Sequence, residues 1–323
     1  MDSPPSCISR GIVICILHLY LSGIVVGVSV EIRPSRVSLH HVTHSYPDTL
    51  WRRMMSPVPR RPNALSDIRL DFSNEFCILT GPSSAGKSTI FRLIQGKETP
   101  TISGTVQIVS AGTPKRFSLP SKGVSIESAE TENRSVDSPV CIPLPVLLDE
   151  KPSPDLHKSP RQHLLHRNVQ ESTRALTKVL LHIFDVTDCI DIKYGDLSQS
   201  QLYLMKLVEA SLESMTKNLP KDESPVSAIR KEDDDDDGHH TWVYPAPILL
   251  LDEWLDKETS LIIQSVQSTL QQVCQVTGSV TVCATHVPDR FQQSDCRHVM
   301  LRNGRLLNDD SVIVSRQSRE TQR

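Results

Sequence analysis

Residues 81–88, GPSSAGKS, constrain the fold of this chain more than any other segment, because they fit the pattern GxxxxGK[ST]. In that pattern a loop permitted by glycine turns consecutive backbone N–H groups inward around a polyphosphate. The apolar stretch FCILT, typical of a buried strand, runs directly into the loop, and helical sequence begins at Thr89. The N-terminus of that helix adds its dipole and unpaired amides to the attraction for anions. The segment therefore predicts a strand, a phosphate-binding loop and a helix in succession.

Two side chains complete the predicted phosphate-binding loop. Lys87 is placed to reach the β and γ phosphates of a nucleotide, and the Ser88 hydroxyl to coordinate Mg²⁺. The alternative, an ordinary glycine turn, leaves the Lys-Ser pair unexplained. The residues that we expect to contact the nucleotide here are Gly81, Pro82, Ser83, Ser84, Ala85, Gly86, Lys87, Ser88 and Thr89.

A second apolar strand, predicted over 248–251, ends in two adjacent carboxylates, Asp252 and Glu253. Neighbouring carboxylates remain ionised at low cost only when a cation is close. A Mg²⁺–nucleotide complex held on the neighbouring strand would provide that cation. We predict that Asp252 binds Mg²⁺ and that Glu253 lies beside an attacking water. The alternative is that the pair forms the first turn of a helix, where acidic residues are favoured.

Strand and helix patterns alternate through much of the remaining chain. Apolar alternation predicts strands near 37–42 and 102–109, and a 3.6-residue period predicts helices over 175–186 and 202–215. A further helix, over 261–273, precedes a buried strand, SVTVCAT, at 279–285. Strands apolar enough to be covered on both faces, alternating with helices, predict a parallel α/β sheet. Asn303-Gly304 predicts the turn of a final hairpin.

In chain order these segments resemble the nucleotide-binding domain of ATP-binding cassette (ABC) ATPases. GDLSQSQ at 195–201 resembles the family's signature segment and includes Ser198, and CATH at 283–286 resembles the segment that ends in the switch histidine, here His286. Asp256, in WLDKET, resembles the aspartate of the D-loop. Tyr46, in HSYP, resembles the aromatic residue that stacks on adenine. The resemblance covers residues 36–310, apart from two low-complexity stretches.

The resemblance implies a P-loop NTPase fold of ABC type, with a parallel sheet core, an antiparallel β edge and a helical subdomain. It implies ATP and Mg²⁺ as cofactors, bound between two such domains that face each other head to tail. Lys87, Mg²⁺ and His286 would offset γ-phosphate charge while Glu253 polarises water. The implied function is that of the ATP-hydrolysing subunit of an ABC transporter. The implied partners are a transmembrane subunit, a second nucleotide-binding domain, or both.

The sequence departs from the family pattern at three places. Gln199 and Ser200 replace both glycines of the signature segment, and side chains there crowd the approach of backbone amides to the partner's γ-phosphate. Residues 122–132 lack the expected Q-loop glutamine, and Gln162 is too close to the signature segment to replace it. WLDKET follows Glu253 with no intervening residues. These departures leave an alternative open: a degenerate, non-transport ABC protein that binds ATP in a regulatory or structural role.

A P-loop kinase or GTPase is a further reading, supported by the phosphate loop alone. The sequence contains no NKxD-like guanine motif. That reading also leaves the signature segment and His286 unexplained.

Residues 1–35 are predicted to form a hydrophobic N-terminal signal or membrane anchor. The run 11–30 carries no formal charge and is just long enough to cross a hydrocarbon core of about 30 Å as a transmembrane helix. A cleaved signal peptide, a buried helix and a wrongly set start codon are the alternatives. Arginines follow the run more often than they precede it, which favours a long C-terminal part that faces the cytosol. The expected localisation is at a membrane, with the ATP-binding domain facing the cytosol or an organelle interior.

Composition limits the other possibilities. Lys and Arg number 35 against 38 Asp and Glu, so no positive field attracts nucleic acid. The eight cysteines form no CxxC pair, which disfavours zinc and disulfide frameworks. We predict an ABC-type domain over 36–315, with low-complexity insertions at 110–170 and 216–243, and a polar tail at 316–323. The run KEDDDDDGHH in the second insertion indicates a solvated loop, with metal binding as the alternative.

Overall fold

The computed structural model describes residues 13–16, 28–46, 63–110, 117–118, 143–148, 157–165, 171–217, 240–292 and 296–309. In these ranges the strands are β1 (Val13–Ile16), β2 (Val28–Arg33), β3 (Ser35–His44), β4 (Leu65–Ser73), β5 (Phe76–Thr80), β6 (Ser103–Ser110), β7 (Phe117–Ser118), β8 (Val146–Leu148), β9 (His240–Pro245), β10 (Ile248–Asp252), β11 (Val280–Thr285), β12 (Arg297–Arg302) and β13 (Arg305–Asp309). The α-helices are α1 (Lys87–Ile94), α2 (Glu171–Ile183), α3 (Gln199–Thr216) and α4 (Ser260–Thr277).

The central sheet has six strands in the order β13-β12-β5-β11-β10-β8. All neighbours in it are parallel except β12 and β13, which form the predicted antiparallel hairpin. Every residue of β5 and β11 is buried, since both faces of this sheet are covered. The α/β fold with a parallel core and an antiparallel β edge is thus confirmed.

The antiparallel edge is a second sheet with the order β4-β3-β6-β7. The alternating residues Val37, Leu39 and Val42 of β3 are buried, as their spacing predicts. They belong to a core that also contains Ile90 of α1 and Leu250 of β10. This core holds the helix after the phosphate loop between the two sheets.

A helical subdomain is formed by α2 and α3. Most of the predicted apolar face of α3 is buried, including Met205, Leu207 and Val208. Ser198 caps this helix in a capping box with Gln201, which satisfies amides that the first turn leaves unpaired. The predicted second helix of the subdomain therefore begins directly after Ser198.

The edge strand β8 is a finding that sequence patterns miss. Residues 110–170 lack periodicity and are predicted to be mostly loop, yet Val146–Leu148 pairs in parallel with β10. Three residues are too few for any periodic pattern to appear. The strand extends the parallel core beside the strand that carries Asp252.

The described residues do not support the predicted transmembrane helix over 11–30. Val13–Ile16 and Val28–Arg33 pair as antiparallel strands, and β2 continues in parallel with β9. Val30 and Ile32 are buried in the main core, although they lie within the N-terminal segment that ends at residue 35. Among the described residues, no helix combines the length and apolarity needed to span a membrane. An apolar run is expected in a buried strand as much as in a helix, because composition alone does not set the backbone period.

Several sequence features lie outside the described residues. They are the stretch 122–132 that lacks a glutamine, almost all of the acidic run at 231–240 and the polar tail at 316–323. Cys77 and Cys283, expected to be buried thiols, lie in β5 and β11 and are buried.

Candidate functional site

The phosphate loop, residues 81–88, connects the carboxyl end of β5 to the first turn of α1. Gly81, Ser84 and Gly86 have φ angles of 146°, 66° and 107°, and Gly86 is the N-cap of α1. Left-handed backbone at these positions directs successive amides towards one side of the chain. These angles are compatible with the phosphate cradle that the glycine pattern predicts.

The two glycines of the loop lie against other backbone. A Cβ on Gly81 would lie 2.3 Å from the Leu301 carbonyl oxygen, and one on Gly86 would lie 2.8 Å from that of Ala64. The turn of the β12–β13 hairpin also contacts the loop, because the Gly304 amide donates to the Ala85 carbonyl at 3.0 Å. The Asn-Gly pair predicts that turn but contains no signal for its contact with the loop.

Replacing Gly86 by alanine is expected to destabilise the domain by about 1–3 kcal/mol, because the new Cβ meets backbone and φ is positive. Thermal unfolding of the full chain measures the loss. Gly96→Ala is the matched control, since Gly96 lies just beyond the same helix with a φ of 69°. We expect Gly96→Ala to retain nucleotide binding and Gly86→Ala to lose it. Equal effects of the two substitutions would show that only the backbone angle matters.

Lys87 is the cation of the loop. Its side chain is buried, and Nζ donates to the Gly81 carbonyl at 2.8 Å and the Pro82 carbonyl at 3.4 Å. Burial lowers the pKa of Lys87, and the charges of Glu253, Asp252 and Asp256 oppose that shift. The ammonium group therefore contacts the loop carbonyls and also interacts with the carboxylates at the end of β10 and in the loop that follows it.

Asp252 and Glu253 approach Lys87 from the end of β10, a strand that is not adjacent to β5. We expected the neighbouring strand, but β11 lies between β5 and β10. All three strands are parallel, with Leu79, Ala284 and Asp252 aligned across them. Their carboxyl ends therefore share one edge of the sheet, and the side chains that follow them meet there.

Asp252 is a suitable metal ligand. Its Oδ1 is buried and has no hydrogen-bond partner among the described residues, and the Ser88 side chain hydrogen-bonds to the same carboxylate. Mg²⁺ prefers such oxygen ligands and usually combines one or two protein groups with phosphates and waters. Within the described ranges no group of three or more His, Cys, Asp or Glu side chains could hold a metal alone. Asp252 and Ser88 therefore fit Mg²⁺ bound together with a nucleotide.

The stability of the nucleotide-free chain should depend on the charge of Asp252. Burial is the largest cause of the shift that raises the pKa of Asp252 above 3.8. Because its pKa is raised in the folded state, Asp252 makes its full contribution to the stability of the fold below about pH 4. That contribution is lost as the pH rises through the folded-state pKa. Asp252→Asn should therefore raise the melting temperature at about pH 8, and the difference should shrink towards about pH 4. Thermal unfolding across this range, without Mg²⁺, measures it; a lower melting temperature at the alkaline end would contradict the prediction.

Glu253 turns away from β10 in a strained backbone conformation. Its φ is 55°, and its amide donates to the Ala284 carbonyl at 2.9 Å. His286 Nε2 lies 2.7 Å from Glu253 Oε1 and 3.4 Å from Lys87 Nζ. One ring nitrogen cannot donate to the carboxylate and accept from the ammonium together. The shorter contact indicates that Nε2 donates to Glu253, while Lys87 donates to the Gly81 carbonyl.

The Asp256 side chain contacts the backbone of His286. Its carboxylate accepts from the Thr285 hydroxyl at 2.6 Å and from the His286 amide at 2.9 Å. Arg290 donates to the main-chain oxygens of Asp256 and Glu258, each at 3.0 Å. The structure thus brings Asp256 into the site, and Arg290 is a residue that sequence reasoning missed. No sequence pattern predicts that an arginine in a turn donates hydrogen bonds to a loop far away in the chain.

Tyr46 contacts α1, the helix that follows the phosphate loop. Its hydroxyl is 3.0 Å from the Thr89 hydroxyl in α1, and its ring makes an edge contact with His44 at 5.0 Å between centroids. The side chain is 38% exposed. The ring is therefore attached to the helix that follows the loop and remains partly open to solvent.

Ser198 lies apart from the candidate residues that surround Lys87, here called the Lys87 group. Its amide and hydroxyl donate to Gln201 Oε1 at 3.0 and 2.9 Å, within the first turn of α3. Gln199 Nε2 reaches Glu258 Oε1 at 3.4 Å. Ser198 is exposed at the start of α3.

No family model matches the sequence. Over 46 residues, 14% of the chain, it is 54% identical to the phosphonates import ATP-binding protein PhnC of Hyphomonas neptunium (strain ATCC 15444). That match spans 17% of the length of the curated relative.

Solved structures cover far more of the chain. A nucleotide-free ATP-binding cassette from an ABC transporter superimposes with a TM-score of 0.52 at 12% identity, over 87% of this chain and 95% of the other. The ADP conformation of an ATP-binding cassette of an ABC transporter gives a TM-score of 0.52 at 11% identity, over 85% and 90% of the two chains. Identities this low establish the fold alone. The chain has the fold of an ATP-binding cassette.

Proposed function

We propose that this chain binds ATP together with Mg²⁺ and hydrolyses it. The observation that carries the proposal is the meeting of Lys87, the Ser88–Asp252 pair and the Glu253–His286 pair at one edge of the parallel sheet. A cation, two oxygen ligands for a metal and a carboxylate–imidazole pair can together neutralise phosphate charge and position a water for phosphoryl transfer. The cassette fold and the short match to an ATP-binding protein support the same activity.

Each residue of the site has a separate role in the proposed phosphoryl transfer. Lys87 exchanges its backbone acceptors for phosphate oxygens, and the amides of residues 81–89 surround the phosphates. Asp252 and Ser88 hold Mg²⁺, which when bound offsets charge on the β and γ phosphates. Glu253 polarises the attacking water, and the His286 Nε2–H, which donates to Glu253 in the nucleotide-free chain, exchanges that acceptor for an oxygen on which charge develops. Tyr46 offers its ring face to the adenine.

We further propose that the chain acts as a subunit of an ABC transporter and associates with a membrane through a transmembrane partner. In this arrangement Ser198 and Asp256 complete the site of a second nucleotide-binding domain that faces the first head to tail. The exposed position of Ser198 at the start of α3, apart from the Lys87 group, supports a role towards another copy.

A second candidate is a non-transport protein that holds ATP as a regulatory or structural ligand. The observation in its favour is that Gln199 and Ser200 place side chains at the start of α3, and that Gln199 is turned back onto Glu258. Side chains there obstruct the close approach of a partner's phosphate. The two candidates share ATP binding and differ in turnover.

The full chain tests the proposal in two measurements. The first is the affinity for ATP with and without Mg²⁺, and the second is phosphate release under saturating ATP. Mg²⁺-dependent binding with turnover supports the ATPase, and binding without turnover favours the regulatory candidate. Absence of Mg²⁺-dependent affinity in a correctly folded chain would refute both. Co-purification of a transmembrane protein then separates a transporter subunit from a soluble ATPase.

A further inference from the structure

The loop between β10 and α4, residues 253–259, makes contacts on two sides that the proposed chemistry does not use. On one side lies the first part of α3, and on the other lie the residues after β11. We infer that Glu258 is a positioning residue that connects α3 to His286 through this loop, and that the loop transmits the position of α3 to the hydrolytic group. The inference rests on the proposed function for its kinetic readout only.

The contact with α3 is made by Tyr203. Its hydroxyl donates to Glu258 Oε1 at 2.5 Å, and its ring packs edge-on against Trp254 at 4.6 Å between centroids. Gln199, one turn earlier, donates to the same Glu258 oxygen at 3.4 Å. Trp254 is 6% exposed, so the aromatic contact is shielded from water. Two residues of the loop are therefore held by one face of α3.

The contact with the residues after β11 is made by Asp256 and Arg290. Asp256 accepts from the Thr285 hydroxyl and the His286 amide, and Arg290 donates to the main-chain oxygens of Asp256 and Glu258. The His286 backbone is thereby attached to the middle of the loop. Its ring lies 2.7 Å from Glu253, the first residue of the loop.

These contacts form one continuous path from Tyr203 through Glu258 and Asp256 to His286. A bond between a tyrosine hydroxyl and a carboxylate is charge-assisted and therefore stronger than one between neutral groups. It fixes the end of a loop whose middle holds the catalytic histidine. Displacement of α3 moves Glu258, and the shared Arg290 contact moves Asp256 with it. Gln199, which stands where the resemblance expects glycine, adds a second bond to this path.

Two substitutions test the path in the full chain. Tyr203→Phe removes only the hydroxyl and leaves the ring on Trp254, whereas Glu258→Ala removes the acceptor. We expect each to lower kcat about tenfold with the KM for ATP within about twofold, since only positioning is lost. Glu258→Gln keeps an acceptor oxygen and should restore most of kcat. The double variant should be no worse than Glu258→Ala, because both changes break the same bond.

Hydrogen exchange of the His286 amide gives a readout that does not require turnover. Its bond to Asp256 should protect it, and protection should fall about tenfold in Tyr203→Phe and Glu258→Ala. Glu213→Gln is the control, because it removes a charge from an exposed position on α3 away from the loop. Unchanged exchange at His286 in both variants overturns the inference, whether or not the parent hydrolyses ATP. Absence of turnover in a parent whose variants lose protection refutes the ATPase and leaves the path intact.

Discussion

Lys87→Ala is expected to abolish Mg²⁺-dependent ATP binding at concentrations that saturate the parent chain, and to lower any remaining turnover by about 10²- to 10³-fold. Lys87 is the buried ammonium group of the phosphate loop, and its present acceptors are two backbone carbonyls. Its removal leaves the triphosphate beside Asp252 and Glu253 without the loop's cation. Equilibrium binding of ATP to the full chain, followed by phosphate release, measures both effects.

A control is needed because Lys87 also fills space within the site. Lys97→Ala removes an equivalent charge from an exposed position beyond α1 and should leave binding unchanged. Thermal unfolding of both variants excludes loss of the fold as the cause. Retention of Mg²⁺-dependent affinity by folded Lys87→Ala would overturn the assignment of the phosphate site.

Glu253→Gln is expected to lower hydrolysis by about 10²- to 10⁴-fold while ATP affinity stays within a few-fold of the parent. The carboxylate is half exposed and lies 2.7 Å from His286 Nε2. Its exposure to solvent and its contact with His286 fit a role towards water more than towards the phosphates. The amide keeps size and one acceptor oxygen but lacks the charge that polarises water. Single-turnover kinetics separate this loss from product release.

His286→Ala serves as the comparison for Glu253→Gln, since the two side chains are in contact. If they act as a unit, the double variant should lose no more activity than the poorer single variant. Turnover near the parental rate in Glu253→Gln would refute its role. A large loss of ATP affinity instead would place Glu253 among the binding residues.

Strong local patterns made much of the fold predictable. The buried strands β5, β10 and β11 each consist of a short apolar run that ends at a polar residue, and the phosphate loop follows one of them. The backbone angles at Gly81 and Gly86 agree with what glycine in this loop implies. Such elements are determined within a few residues, so sequence is sufficient to identify them.

Elements that depend on distant partners were not predictable in this way. β8 is three residues long and exists as a strand only because β10 supplies its hydrogen bonds. β2 is part of an apolar run that suits a helix equally well, and its pairing with β9 decides the outcome. β11 lies between the loop strand and the acidic strand, contrary to our expectation, since strand order depends on long-range pairing.

The sequence by itself determined which groups are available: a glycine loop with one lysine, a serine, two adjacent carboxylates and a histidine after an apolar strand. Tertiary structure alone decided that they meet, and it added Glu258, Tyr203 and Arg290 as residues that hold the loop beside His286. The reason is physical. Residue type and local spacing set the chemistry and backbone angles of a segment, whereas contacts between segments far apart in the chain exist only once the parallel strands have aligned their carboxyl ends at one edge.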